Sequence, residues 1–187
     1  APAEEERVIA KDINSEFENK LIIVEADLSA LASVVKNIDL LVTPDTVTKH
    51  IADSVGTPSL EISLGFAPFL KQGSCTPESL ILSYEISKRC FSQSEAHEQA
   101  DKIFAQNEAI TAGDIYAATL FFFSSNKRNK PVLSKNISLY KVAQDNHGIR
   151  YDFISGARND EIEIERLMTR SYFHLLLENQ DDTSTYE

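Results

Sequence analysis

The stretch D-L-L-V-T-P-D-T-V-T-K-H-I-A-D-S-V-G-T-P-S-L, Asp39 to Leu60, decides the fold. It opens on a short apolar run, Leu40 to Thr43, and turns at Pro44. A helix is predicted from about Thr48 to Val55, stopped by Gly56 and Pro58. A second apolar strand is predicted from Ser59 to about Ser63. Strand, polar turn, helix, glycine stop and strand make one β-α-β unit. In open α/β sheets a ligand sits beyond the carboxyl end of such a strand, against the next helix. Asp45, Thr46, Thr48, Lys49 and His50 occupy that place here.

Outward from this unit, the upstream chain repeats the alternation. Glu4 to Asp12 is helix-forming, with an acidic first turn that suits the helix dipole. Leu21-Ile22-Ile23-Val24 is a compact β-branched run that predicts a buried parallel strand. Asp27 or Ser29 can cap the next helix, which carries Leu28, Leu31, Val34 and Val35 at helical spacing. Downstream, Gly65 to Ser79 is loop-like, and Leu80 to Leu82 is a further strand. A polar helix is predicted from Ser92 to about Gln106. Another begins at Thr111 with the capping-box pattern Thr111…Asp114 and runs through Phe123. Residues 1–123 therefore predict an α/β domain with a doubly wound, Rossmann-like parallel sheet.

Residues 124–131, S-S-N-K-R-N-K-P, form a small basic linker closed by proline. The pattern then changes. Ile137–Val142 and Ile149–Ile154 read as a β-hairpin, and 160–178 as a helix with Ile164, Leu167, Met168, Leu175 and Leu176 on its apolar side. Residues 132–180 thus read as a hairpin-helix extension, and 181–187 as a disordered acidic tail. A chain that opens on Ala1 and enters an acidic helix at once reads as a fragment whose N-terminal portion is left out.

A net charge of -11 argues against nucleic acid as a partner, because that affinity comes from cations neutralising phosphates. Local basic spots can still bind a single phosphate. Two cysteines, Cys75 and Cys90, without metal-type spacing, read as reduced and inert, with a single disulfide as the alternative. The longest apolar stretch, Ile115 to Phe123, is too short to cross a bilayer. A cytoplasmic location is expected.

A helix opening after Asp45 leaves its first N–H groups without intrahelical partners and places positive dipole character there. The amides of Thr46, Val47 and Thr48 can cradle a phosphate, aided by two threonine hydroxyls and by Lys49. Asp45 cannot hold phosphate, but it can accept hydrogen bonds from sugar hydroxyls. Together they suggest a phosphate-linked sugar. Asp45 and Thr46 can equally serve as helix caps alone. Asp45, His50 and Asp53 can be grouped as a metal cluster for hydrolysis, although hard-cation sites gather more carboxylates. A neutral His50 packed under the turn is the other reading. His97, His147 and His174 have no chemical company in sequence.

The pattern V-T-P-D-T-V-T-K-H-I-A-D-S-V-G-T-P resembles the D-[ST]-G-x-x-H-x-A-x-x-x-G-x-P signature of glycosyltransferase family 9, the ADP-heptose:lipopolysaccharide heptosyltransferases. Asp45, Thr46, His50, Ala52, Gly56 and Pro58 fall on it. Ala1 to Arg7 is similar to the family's G-x-x-x-E-x-x-R helix start, Asp27 to Leu31 to its S-L-x-x-[LV] helix, and Ile110 to Phe123 to its closing helix. The resemblance implies the C-terminal, nucleotide-sugar-binding half of a GT-B fold, metal-independent and inverting. It implies Asp45 on the donor sugar and the Thr46, Val47 and Thr48 amides on the diphosphate. It further implies Glu4 or Glu5 on the ribose and Ala26 beside the adenine.

No cofactor is implied; ADP-heptose or a similar nucleotide sugar is the donor. The implied partners are a lipid-linked glycan acceptor and the N-terminal domain carrying the acceptor base. Peripheral association of the full-length protein with the inner face of the cytoplasmic membrane would follow. Alone, this chain is expected to be inactive. Val47 stands where the family pattern has Gly, so a requirement for positive φ there would oppose donor binding. That favours the rival reading, a non-catalytic nucleotide- or glycan-binding scaffold that retains the fold.

Overall fold

A computed structural model describes residues 4–18, 20–63, 69–84, 110–146 and 148–158, with 160, 163–164, 167–168, 170–172 and 175. Helix α1 spans Glu4–Glu16 and α2 spans Leu28–Lys36. Strand β1 (Leu41–Pro44), helix α3 (Val47–Val55) and strand β2 (Ser59–Ser63) form the β-α-β unit. A short helix α4 (Phe69–Gln72), strand β3 (Leu80–Tyr84) and helix α5 (Ala112–Phe123) follow. The hairpin is β4 (Ile137–Asp145) and β5 (Gly148–Gly156).

Each stop and start has a local cause. Gly56 takes a left-handed conformation at φ 76°, ending α3, and its N–H donates back to Ala52 O. The Thr57 hydroxyl then donates to Val35 O at 2.8 Å, tying the end of α3 to that of α2. Asp27, rather than Ser29, caps α2, accepting from the Ala30 N–H. Thr111 and Asp114 form the reciprocal capping box at α5. Asp114 also accepts from the Ser134 N–H at 2.7 Å, pinning the chain on its return toward the sheet.

The five strands lie in the order β1-β2-β3-β4-β5. The β1–β2 and β2–β3 pairs are parallel, and the β3–β4 and β4–β5 pairs antiparallel. The fold is α/β, a mixed sheet with helices on both faces, consistent with a Rossmann-like domain. The hairpin read as an extension continues this same sheet through β3 and β4. A register shift at Leu139/Tyr140 bends it. At Gly156, φ 105°, a Cβ would collide with the Ile137 carbonyl, so only glycine fits beside β4.

Alternation along the strands divides the sheet into two unlike faces. Leu60, Leu80, Leu82, Tyr84, Ile137 and Leu139 pack under Ala118 and Phe121 of α5. The opposite face is apolar only at the hairpin end, where Phe69 stacks on Tyr140 at 4.7 Å between ring centroids and meets Tyr151 edge-on at 5.2 Å. Under α3 that second face carries Ser59, Glu61 and Ser63, all buried. The run expected as a plain apolar strand therefore alternates, apolar toward α5 and polar toward α3.

The expected strand at Leu21–Val24 is not formed: these residues are coil, and Ile22 is 89% exposed. The run does not join the free edge of β1, the outer strand, which is paired only with β2, so its backbone groups have no ladder. Helix α1 likewise buries no residue, leaving Val8, Ile9 and Ile13 exposed, as is Phe17 in the turn after it. The described residues between 160 and 175 are helical, but Ile164, Leu167, Met168 and Leu175 are exposed rather than packed. The expected helix at Ser92–Gln106, with Cys90, His97, His147, His174 and the tail 181–187, lies outside the described residues. Among the described residues no helix is long and apolar enough to cross a membrane.

Candidate functional site

At the carboxyl end of β1 the chain leaves the sheet at Pro44 and re-enters helix at Val47. Thr46 is the N-cap residue of α3 by position, with extended backbone at φ -143° and ψ 174°. Its hydroxyl caps nothing. It lies 3.2 Å from the Thr43 hydroxyl, while the Lys49 N–H donates to Thr46 O at 3.1 Å. The first-turn amides of Val47 and Thr48 accordingly have no acceptor among the described residues. Two backbone donors and the positive end of a nine-residue helix face outward there.

Asp45 stands beside these amides, its side chain 27% exposed. The Lys49 ammonium sits 2.7 Å from Asp45 Oδ1, and the Gln72 amide donates to Oδ2 at 2.9 Å. Both carboxylate oxygens are thus held, with room left on each for another donor. Asp45 does not cap α3, and the reading of Asp45 and Thr46 as caps alone finds no side-chain capping bond.

Lys49 points inward. Its side chain is fully buried against β2, donates to the Gln72 carbonyl, and lies 3.8 Å from Glu61 Oε2. Glu61 in turn accepts from the Ser74 N–H at 2.6 Å. Burial pushes the Glu61 carboxyl above the usual carboxylate range, and the Ser74 N–H and Lys49 partly oppose that rise. Lysine and glutamate are rarely buried unless paired: Lys49 lies between Asp45 at 2.7 Å and Glu61 at 3.8 Å, and Glu61 adds the Ser74 N–H.

His50 faces solvent, 61% exposed, with Nε2 3.9 Å from Asp45 Oδ1. It is not packed under the turn. Asp53 points elsewhere: Oδ1 accepts from the Cys75 N–H at 2.9 Å, and from the Thr76 N–H and hydroxyl at 3.0 Å. Asp45, His50 and Asp53 therefore do not converge, and no group of metal-holding side chains occurs among the described residues. Cys75 is a free thiol pushed up by burial and by Asp53, a poor nucleophile.

Val47, on which positive φ was the question, is the first residue of α3 and is absent from the positive-φ residues. Its side chain is exposed beside the open amides. Glu4 pairs with Arg7 at 3.2 Å, and Arg7 grips Glu25 through two bonds of 3.0 Å. These contacts hold the start of α1, with Glu4 and Glu5, next to Glu25 and Ala26. They do not reach the Asp45–His50 turn. The two expected subsites, turn and helix α1, are thus separately assembled.

Reading the sequence alone missed Glu61, Gln72 and Ser74, which fix Lys49 and through it Asp45. The available signal was a glutamate centred in a buried strand, which calls for a cationic partner one layer away.

Residues 1–67 match the family model of glycosyltransferase family 9 (heptosyltransferase). The matched span takes in α1, α2, β1, α3 and β2, and so bears out the resemblance carried by Asp39 to Pro58. It supports a glycosyltransferase. No curated protein and no solved structure matches the chain.

Proposed function

We propose, from the family 9 match of residues 1–67, that the chain is the donor-binding half of an inverting glycosyltransferase. It would move a heptose or related sugar from a nucleotide diphosphate to a lipid-linked glycan. One observation carries this reading: the Val47 and Thr48 amides lie open beside a carboxylate that Lys49 and Gln72 hold in place. Amides and dipole suit the diphosphate, whose charge rises as the glycosidic bond breaks. The Asp45 carboxylate, oriented by Lys49 and Gln72, accepts from sugar hydroxyls. Lys49 acts as a positioning residue rather than a phosphate ligand, and His50 lies on the solvent side of the turn. The acceptor base belongs to a second domain, so this chain binds the donor without turning it over.

The test is competition of a nucleotide sugar and of ADP against a fluorescent ADP analogue. The sugar should add affinity over ADP in the wild-type chain. Asp45→Asn should lose about tenfold in nucleotide-sugar affinity, the loss of one charged hydrogen bond, while ADP binding holds. Equal losses for both ligands would remove Asp45 from the sugar subsite.

A further inference from the structure

At the opposite end of the sheet a cleft of about 480 Å³ opens between α5 and the amino ends of the parallel strands. It lies roughly 13 Å along the sheet from the Asp45 turn, four residues at about 3.3 Å each. Its floor is apolar: Leu80, Phe121, Phe122 and Ile154. Its rim carries three lysines, Lys127, Lys130 and Lys141, against one carboxylate, Glu78. In a chain of net charge -11, residues 124–136 hold four cations and no acid, so this rim is a local reversal of sign.

The lysines are not equally occupied. Lys127 donates to the Phe121 and Phe122 carbonyls at 2.7 and 2.6 Å, and lies 4.9 Å from the Phe121 ring centre. That is a helix C-terminal role. Lys141 pairs with Glu78 at 2.7 Å, using one of three donors. Lys130 has no side-chain partner among the described residues. Its ammonium is available at a cleft whose floor is hydrocarbon.

We propose that this cleft binds an amphiphilic phosphate. The phosphate is held by Lys130 with the spare donors of Lys141, and the apolar chain lies on Leu80, Phe122 and Ile154. A cleft of this size, apolar with few convergent polar groups, is the ordinary form of a small-ligand site. Phosphate suits a rim of separate ammonium groups, which act as point charges. The same chemistry is offered by a phospholipid headgroup at a membrane and by a free alkyl phosphate. Nothing in it depends on the donor reading of the Asp45 turn.

The experiment is an amide NMR titration of the 187-residue chain with octyl phosphate below its micelle concentration, alongside inorganic phosphate and octanol. Saturable shifts at Lys130, Leu80 and Phe122 are expected, stronger with octyl phosphate than with either half alone. Lys130→Gln and Lys141→Gln, both at the surface, should each weaken binding by about tenfold, one charged contact's worth. Equal shifts with inorganic phosphate would reduce the effect to ionic screening and overturn the proposal, as would unchanged affinity in both variants. Co-sedimentation with phosphatidylglycerol against phosphatidylcholine vesicles then assigns the source. Pelleting on the anionic vesicles that Lys130→Gln abolishes places the phosphate on a lipid surface; octyl phosphate binding without pelleting places it on a free ligand.

Discussion

The two faces of one sheet are built on opposite principles. Under α5, Leu60, Leu80, Leu82, Ile137 and Leu139 meet Ala118 and Phe121 with no polar group among them. Under α3, on the other side of β2, Ser59, Glu61 and Ser63 are buried, and Glu61 lies 3.8 Å from a buried lysine. The first face is held by non-directional burial, which fills space and tolerates change of shape. The second is held by directional contacts among groups that lose hydration on folding, a poor source of stability. It nonetheless lies directly beneath the Asp45 turn. The comparison teaches a division of labour: the α5 face stabilises the domain, and the α3 face fixes where Asp45 points.

The sharpest way to break that division is to remove one ion. Lys49→Met leaves Glu61 buried without its cation and should cost about 3–5 kcal/mol in urea denaturation. Adding Glu61→Leu to Lys49→Met should recover part of the loss, because the orphaned carboxylate goes with it. A cost below about 1 kcal/mol for the single change, ordinary for a surface pair, would mean that water reaches the cluster.

Leu82→Ala on the α5 face should cost about 3 kcal/mol through lost burial and a residual cavity. The two faces should also differ in kind. Leu82→Ala should leave nucleotide-sugar affinity nearly unchanged in the folded population, whereas Lys49→Met should weaken it relative to ADP, because Asp45 loses its anchor.

Asp114→Ala, at the edge of the apolar face, should cost about 2 kcal/mol by removing the α5 capping box and the Ser134 contact. Burial raises the Asp114 pKa, but the bonds from Thr111 and Ser134 outweigh it and hold the carboxyl below its ordinary value. Its contribution is present above the unfolded pKa and lost as pH falls through the folded one. The melting-temperature gap between wild type and variant should therefore close in acid. A gap constant with pH would contradict the carboxylate's role.

The smallest effect concerns Glu61, whose sign is opposite. Its folded pKa is raised above the ordinary value of 4.5. Its protonated form favours the fold, and that stabilisation fades as pH rises through the folded pKa. Glu61→Gln keeps an acceptor for Ser74 and should gain on wild type in thermal melts as pH rises above 4.5. A variant that loses ground as pH rises would show the Lys49 and Ser74 contacts outweighing burial at Glu61.

Much of this was legible in sequence where local chemistry decides it. The turn at Pro44, the stop at Gly56, the α5 capping box and the hairpin all rest on residues whose backbone preference is their own. Leu21–Val24 was misread because an apolar β-branched run shows a preference for strand but not whether an open sheet edge has room for it. Lys49 was placed at the phosphate because sequence shows charge but not helix rotation. It shares a helix face with Ala52, which is fully buried, and that spacing already turned it inward. The Lys127–Lys130 rim was visible as a basic linker. Its apolar floor was not, because Leu80 and Phe121 meet only in three dimensions.

The most direct test of the donor site is an amide NMR titration of the chain with ADP, in EDTA and then with Mg²⁺. Saturable shifts centred on Val47 and Thr48, equal in both conditions, are the expected result. Shifts that require Mg²⁺, or saturable binding that leaves those two amides unmoved, would contradict it.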